Sequence, residues 1–199
     1  MLSFSNYLKE EIIEVEEGVN DPAIFKAVFL AGGPGSGKSF IVGKTGLQAL
    51  GFKVVNSKAL TGVKQNMWLK GRLGLVIDGT GKDTDKLKKQ AATLKKLGYD
   101  VAMIFVNTDL ATAQARNLQR KRTLPADEVE KYWTTVQKNI GAFQTYFGKQ
   151  KFTVVDNSEG KDYVQETLRA YKEITKFTKN PPENSNAKKW IAGQKASKK

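Results

Sequence analysis

The chain of 199 residues contains no cysteine and no histidine. That excludes disulfides, thiol nucleophiles, Cys/His zinc sites and imidazole acid–base chemistry, leaving carboxylates, lysine, tyrosine and bound water to move protons. Long apolar runs are missing too: the longest unbroken one is Val101–Val106, far short of the ~18 residues a membrane span requires. No positive flank, apolar stretch and small-residue cleavage site opens the chain, so a cytoplasmic location is expected. No internal repeat is visible. One α/β domain is the natural size for such a length.

Positive charge is abundant, at +13 overall. In residues 1–21 Lys9 stands against Glu10, Glu11, Glu14, Glu16, Glu17 and Asp21, a net of −5 that leaves +18 on residues 22–199. So basic a body suggests an anionic partner such as nucleic acid, although lysines spread along solvated helix faces give the same total.

The chain is organised around Ala27–Ser39, an apolar strand running into Gly-Gly-Pro-Gly-Ser-Gly-Lys-Ser. Gly32, Gly37, Lys38 and Ser39 satisfy the G-x-x-x-x-G-K-[ST] spacing at every fixed position. Glycines let the backbone of Gly33, Pro34, Gly35, Ser36 and Gly37 wrap a polyphosphate with its N–H groups, and the following helix start faces the same charge. In this pattern Lys38 reaches the β- and γ-phosphates and Ser39 holds Mg²⁺. A chance Gly-rich turn between strand and helix is the competing reading.

Further strands are predicted at 52–55, 74–78, 101–106 and 151–155, and helices at 3–17, 38–50, 83–96, 109–122, 126–147 and 161–177. Residues 59–72 read as a loop or short helix. The tail from Asn180 reads as a flexible arm that Trp190 and Ile191 could dock back. This divides the chain into an acidic N-terminal helix (1–21), a domain (22–179) and a basic tail (180–199). The alternation implies a doubly wound parallel sheet. Asp78 closes an apolar strand, as a Walker-B-type carboxylate would, although an Asp before Gly79 also suits a turn or helix cap. Arg116, Arg120 and Arg122 precede a break at Thr123-Leu124-Pro125. They suit a lid that clamps phosphoryl oxygens, or simply a solvated helix end.

With these motifs the chain resembles the P-loop kinases of the polynucleotide kinase and zeta toxin group, and is most similar to the zeta-toxin-like proteins of large phages. The resemblance spans roughly residues 22–177. It implies a five-stranded 2-3-1-4-5 parallel sheet flanked by helices, an arginine-bearing lid, ATP and Mg²⁺ as cofactors, and transfer of the ATP γ-phosphate to a hydroxyl of a polynucleotide or nucleotide sugar. It also implies nucleotide contacts near Asn157 and acceptor contacts at Asn56, Ser57 and Thr80. One departure stands out. The group usually places an Asp after the second strand to accept the hydroxyl proton, and here Asn56-Ser57 is followed by Lys58. Asp78 could take that role, the transfer could need little base assistance, or the chain could be a degenerate ATP-binding module for nucleic acid or protein. An NTP-hydrolysing switch or motor fits less well, since no switch segment is evident.

Overall fold

A computed structural model describes residues 19–57 and 63–197. Five parallel strands, β1 (Lys26–Ala31), β2 (Lys53–Asn56), β3 (Leu75–Asp78), β4 (Asp100–Asn107) and β5 (Phe152–Asp156), form one sheet in the order β2-β3-β1-β4-β5. The order is the one the resemblance implies. β1 and β4 are buried along nearly their whole length, because helices cover both faces of the sheet.

The helices are α1 (Lys38–Lys44), α2 (Val63–Gly71), α3 (Thr84–Lys96), α4 (Leu110–Leu118), α5 (Ala126–Phe147), α6 (Tyr163–Lys179) and α7 (Ser185–Ala196). Ile41 and Leu47 from the α1 region and Ala170 and Ile174 of α6 pack with Val28, Leu30, Val76 and Val106 on one face. On the other, α3, α5 and α7 meet Phe29, Ile77, Met103 and Phe105. No helix among the described residues is long and apolar enough to cross a membrane.

Two expectations change, and one left open between loop and short helix is decided. The first helix ends at Lys44 rather than near Leu50, because Gly46 turns left-handed at φ 61° and the chain continues as turns to Gly51. Val63–Gly71 is a helix. Residues 185–196 are no flexible arm: Asn184 caps α7 by accepting from the Asn186 N–H, Ala187 is buried, and Trp190 meets Phe25 edge-on at 5.4 Å. The Pro181-Pro182 break stops α6, and the apolar face of α7 then closes the open end of the core. The expected helix at 3–17 and the Lys58 position lie outside the described residues.

A buried ion pair anchors β1 to β4. Lys26 Nζ lies 2.8 Å from Asp100 Oδ2, and the same oxygen accepts the Glu183 N–H at 2.9 Å.

Candidate active site

The carboxyl ends of β1, β3 and β2 stand side by side, with Leu30 in register with Asp78 and Asp78 with Asn56. Two turns leave this edge together. Gly79 N–H donates to Leu30 O at 3.0 Å and Gly32 N–H to Thr80 O at 3.2 Å, so the Asp78-Gly79-Thr80-Gly81 turn is stitched to the start of the Gly-rich loop.

Two glycines in that loop could not be anything else. Gly35 (φ 75°) lies so close to α4 that a Cβ would strike the Ala113 carbonyl, and Gly37 (φ 82°) lies against the Asn157 amide. Each needs both the left-handed conformation and the missing side chain. Lys38 Nζ donates to Gly32 O at 2.7 Å and lies within the curl of its own loop. Burial lowers its pKa from the ordinary lysine range; Asp78 opposes the shift and Arg120 adds to it. Burial likewise raises the Asp78 carboxyl, against the pull of Lys38.

The expected residues fall around two cavities that share Lys38. One, about 280 Å³, is lined by Gly33, Pro34, Gly35, Gly37, Ser39, Phe40, Arg116 and Arg120. The other, about 390 Å³, is lined by Asn56, Ser57, Asp78, Thr80, Lys82 and Lys86 among others. Arg122 joins neither; it is exposed beyond α4. The segment carrying it is held at its base by Asn117, whose amide donates to Leu124 O at 2.8 Å and whose Oδ1 accepts from Leu124 N at 3.1 Å.

Asn157 points inward. Its Nδ2 donates to Ser36 O at 2.8 Å, and its own carbonyl accepts from Arg116 Nη1 at 2.8 Å and Thr108 Oγ1 at 3.3 Å. Buried as it is, it clasps the Gly-rich loop and orients Arg116. The α5 helix, expected over 126–147, also braces the site with its polar side chains. Trp133 Nε1 donates to Thr108 O at 2.7 Å, Gln137 Nε2 to Asn107 Oδ1 at 2.7 Å, and Asn139 Nδ2 to Gly81 O at 2.9 Å. Polar residues beside an apolar stripe, roughly a turn apart on the same helix, were the available signal.

Two polar atoms in this region, Asp78 Oδ1 and Ser36 Oγ, are buried without a hydrogen-bond partner. A divalent cation with its water shell suits such an orphaned carboxylate oxygen. Among the described residues no three carboxylates gather; Ser39 and Asp78 are the groups that could hold such an ion, the rest of its ligands being water and phosphate oxygens.

The zeta toxin family model matches residues 57–170, beginning after the Gly-rich loop. No curated protein matches the sequence. Among solved structures, a gluconokinase from Sinorhizobium meliloti 1021 is similar at 15% identity and TM-score 0.51, over 77% of this chain and 95% of that one. The PezAT toxin–antitoxin system of Streptococcus pneumoniae gives 12% identity and TM-score 0.48 over 89% and 98%. A chain of the Pnkp1/Rnl/Hen1 RNA repair complex gives 20% identity and TM-score 0.49 over 59% of this chain, which spans only 46% of that one.

Proposed function

The chain belongs to the zeta toxin family, and on that premise we propose that it is an ATP- and Mg²⁺-dependent kinase that moves the γ-phosphate to a hydroxyl of a second substrate. The observation that carries the reading is that Lys38 lines both cavities. A polyphosphate cradled by the Gly-rich loop would end at the ammonium, and a hydroxyl entering past Asn56, Ser57 and Thr80 would meet the terminal phosphorus there.

Each residue then has a task. The loop N–H groups and Lys38 hold the phosphates in line, where positioning and charge stabilisation supply most of the catalysis. Arg116, fixed on the Asn157 carbonyl, and Arg120, close enough to act on Lys38, neutralise charge on the transferring group. Arg122 would join only if its segment closed as a lid. When bound, Mg²⁺ would neutralise the β- and γ-oxygens, with Ser39 and Asp78 holding it. Asp78 also faces the acceptor cavity, and a carboxylate of raised pKa is a better proton acceptor than an ordinary one. This supports its taking the role that Asn56-Ser57 cannot.

The acceptor belongs to the same proposal. Lys82 and Lys86 in the second cavity favour an anionic molecule, either a nucleotide sugar or the 5′ end of a polynucleotide. Salt separates them, since polynucleotide binding weakens steeply with ionic strength. The second reading is an ATP-binding module without efficient transfer, favoured by Lys58 standing after Asn56-Ser57 where the resemblance expects Asp. The test is transfer of γ-labelled phosphate from Mg·ATP to 5′-hydroxyl oligonucleotides and to nucleotide sugars, with Lys38→Ala as control. Lys38-dependent label in one acceptor is the expected result. Lys38-dependent ATP binding with no label in any acceptor would replace the kinase with the module.

A further inference from the structure

The amino end of the sheet, opposite the Gly-rich loop, carries a cluster of lysines. A cavity of about 340 Å³ opens there against the first residues of β4, and Lys95, Lys151, Asp100, Glu183 and Asn184 line it. Three elements meet around it: the last turn of α3 supplies Lys95, the 3₁₀ turn Lys149–Lys151 after α5 supplies Lys151, and the residues that open α7 supply Glu183 and Asn184. Side-chain amides join them, since Asn184 Nδ2 donates to Lys95 O at 2.8 Å and Asn186 Nδ2 to Lys96 O at 3.2 Å. Three exposed lysines border the same opening. Lys96 follows Lys95, Lys149 begins the 3₁₀ turn, and Lys188 stands one helical turn beyond Asn184.

The negative charge at this opening is already engaged. Asp100 accepts from Lys26 and from the Glu183 N–H, and the Glu183 carboxylate pairs with Lys151 at 2.8 Å. Lys95 pairs with no carboxylate among the described residues. Its Nζ lies over the Tyr146 ring, 4.4 Å from the centre. Burial, and then the charge of Lys151, lower its pKa from the ordinary lysine range, and an anion shared by the two ammonium groups would relieve that repulsion.

We propose that this cluster is a docking surface for the phosphodiester backbone of a nucleic acid, with one phosphate between Lys95 and Lys151 and neighbouring phosphates on Lys96, Lys149 and Lys188. Lysines without a carboxylate of their own suit a row of phosphates, and the +13 charge of the chain adds long-range attraction. The chemistry favours this partner over two others. Protein interfaces are depleted of lysine. Membrane surfaces are held by apolar side chains beside the charge, and none of the exposed large apolar side chains among the described residues belongs to this opening. The surface is separate from the acceptor cavity, because the eight residues of β4 put about 23 Å between the two ends of the sheet. Docking therefore needs neither ATP nor transfer, and the proposal is independent of the kinase reading.

The test is fluorescence anisotropy of the full-length chain with labelled, 5′-phosphorylated DNA of about twenty nucleotides, single-stranded and duplex, in EDTA without ATP and over a range of salt. The triple variant Lys95→Gln, Lys149→Gln and Lys188→Gln should weaken binding at least about tenfold at low salt and flatten the logarithmic salt slope by about 2–3, as the loss of three phosphate contacts requires. The matched triple Lys172→Gln, Lys176→Gln and Lys179→Gln removes the same charge from α6, on the opposite face of the sheet, and should change affinity and slope far less. Glu183→Gln frees Lys151 and should tighten binding and steepen the slope by about one; this gain remains readable if the first triple fails to fold in a thermal melt. Equal losses in the two triples, or no tightening in Glu183→Gln, overturn the proposal. A loss in Lys82→Gln with Lys86→Gln instead moves the nucleic acid to the acceptor cavity and also overturns it. So does binding to phosphatidylserine vesicles without binding to either DNA, or binding to neither. If Lys38→Ala keeps the DNA affinity and no acceptor is phosphorylated by the parent chain, the docking stands and only the kinase reading fails.

Discussion

Replacing Asn157 with alanine separates two roles for a residue that lies beside the phosphate loop. In the structure its amide is spent on Ser36 O at 2.8 Å, while its backbone carbonyl holds Arg116. Truncation keeps the backbone contact and leaves a buried loop carbonyl without a donor. Such a loss costs about 1–3 kcal/mol. The loop is free to relax until phosphate fixes it, so most of the cost should fall on nucleotide binding: the KM for ATP should rise roughly 5- to 100-fold, at 1.4 kcal/mol per decade. Little change is expected in the thermal midpoint. Asn157→Asp should be worse, since it aims a carboxylate at a carbonyl, and Gln is too long for a site where even a Cβ at Gly37 meets the amide. The assay is steady-state kinetics with ATP and GTP, beside thermal melts with and without nucleotide. An unchanged KM in a folded variant would refute the clasp. A changed preference between ATP and GTP would refute it differently, by showing that Asn157 contacts the base, as the family resemblance implies.

The remaining predictions concern protons and the core. Because burial raises the Asp78 pKa, turnover should fall on the acid side at a pH above that of an ordinary carboxylate, where protonation removes the metal ligand and base. Asp78→Asn should abolish this limb of the pH–rate profile with ATP binding retained, and a mutant profile that keeps the limb would assign it elsewhere. Lys26→Met leaves Asp100 buried and partly unpaired, which should cost about 3–5 kcal/mol, read as a lowered urea midpoint; Asp100→Asn added to it should recover part of the loss. Trp190→Ala removes the ring that seats α7 on Phe25, for a cost of about 2–3 kcal/mol at a half-buried site. Melting should occur earlier, with turnover at low temperature unchanged.

What the sequence determined by itself is local. Gly32 to Ser39 announce a phosphate loop, because no other common chemistry needs glycines, lysine and serine at that spacing. Alternating apolar runs and amphipathic stretches announce the strands and helices, and the long apolar β4 announces a strand buried on both faces. The order of strands came through resemblance rather than periodicity, since no local pattern encodes which strand lies beside which.

Only the tertiary structure decided which residues meet. Arg116 and Arg122 look alike in sequence, yet helix phase and the Asn117 brace bring the first to the loop and leave the second in solvent. Asn157 and Ser36, 121 residues apart, become partners only because β5 ends near β1 across β4. The same holds for the shared position of Lys38 between two cavities, and for α7, where the open end of the core gives Trp190 the seat that the sequence left open. These are contacts between distant segments, and their energy exists only once the sheet has brought both sides together.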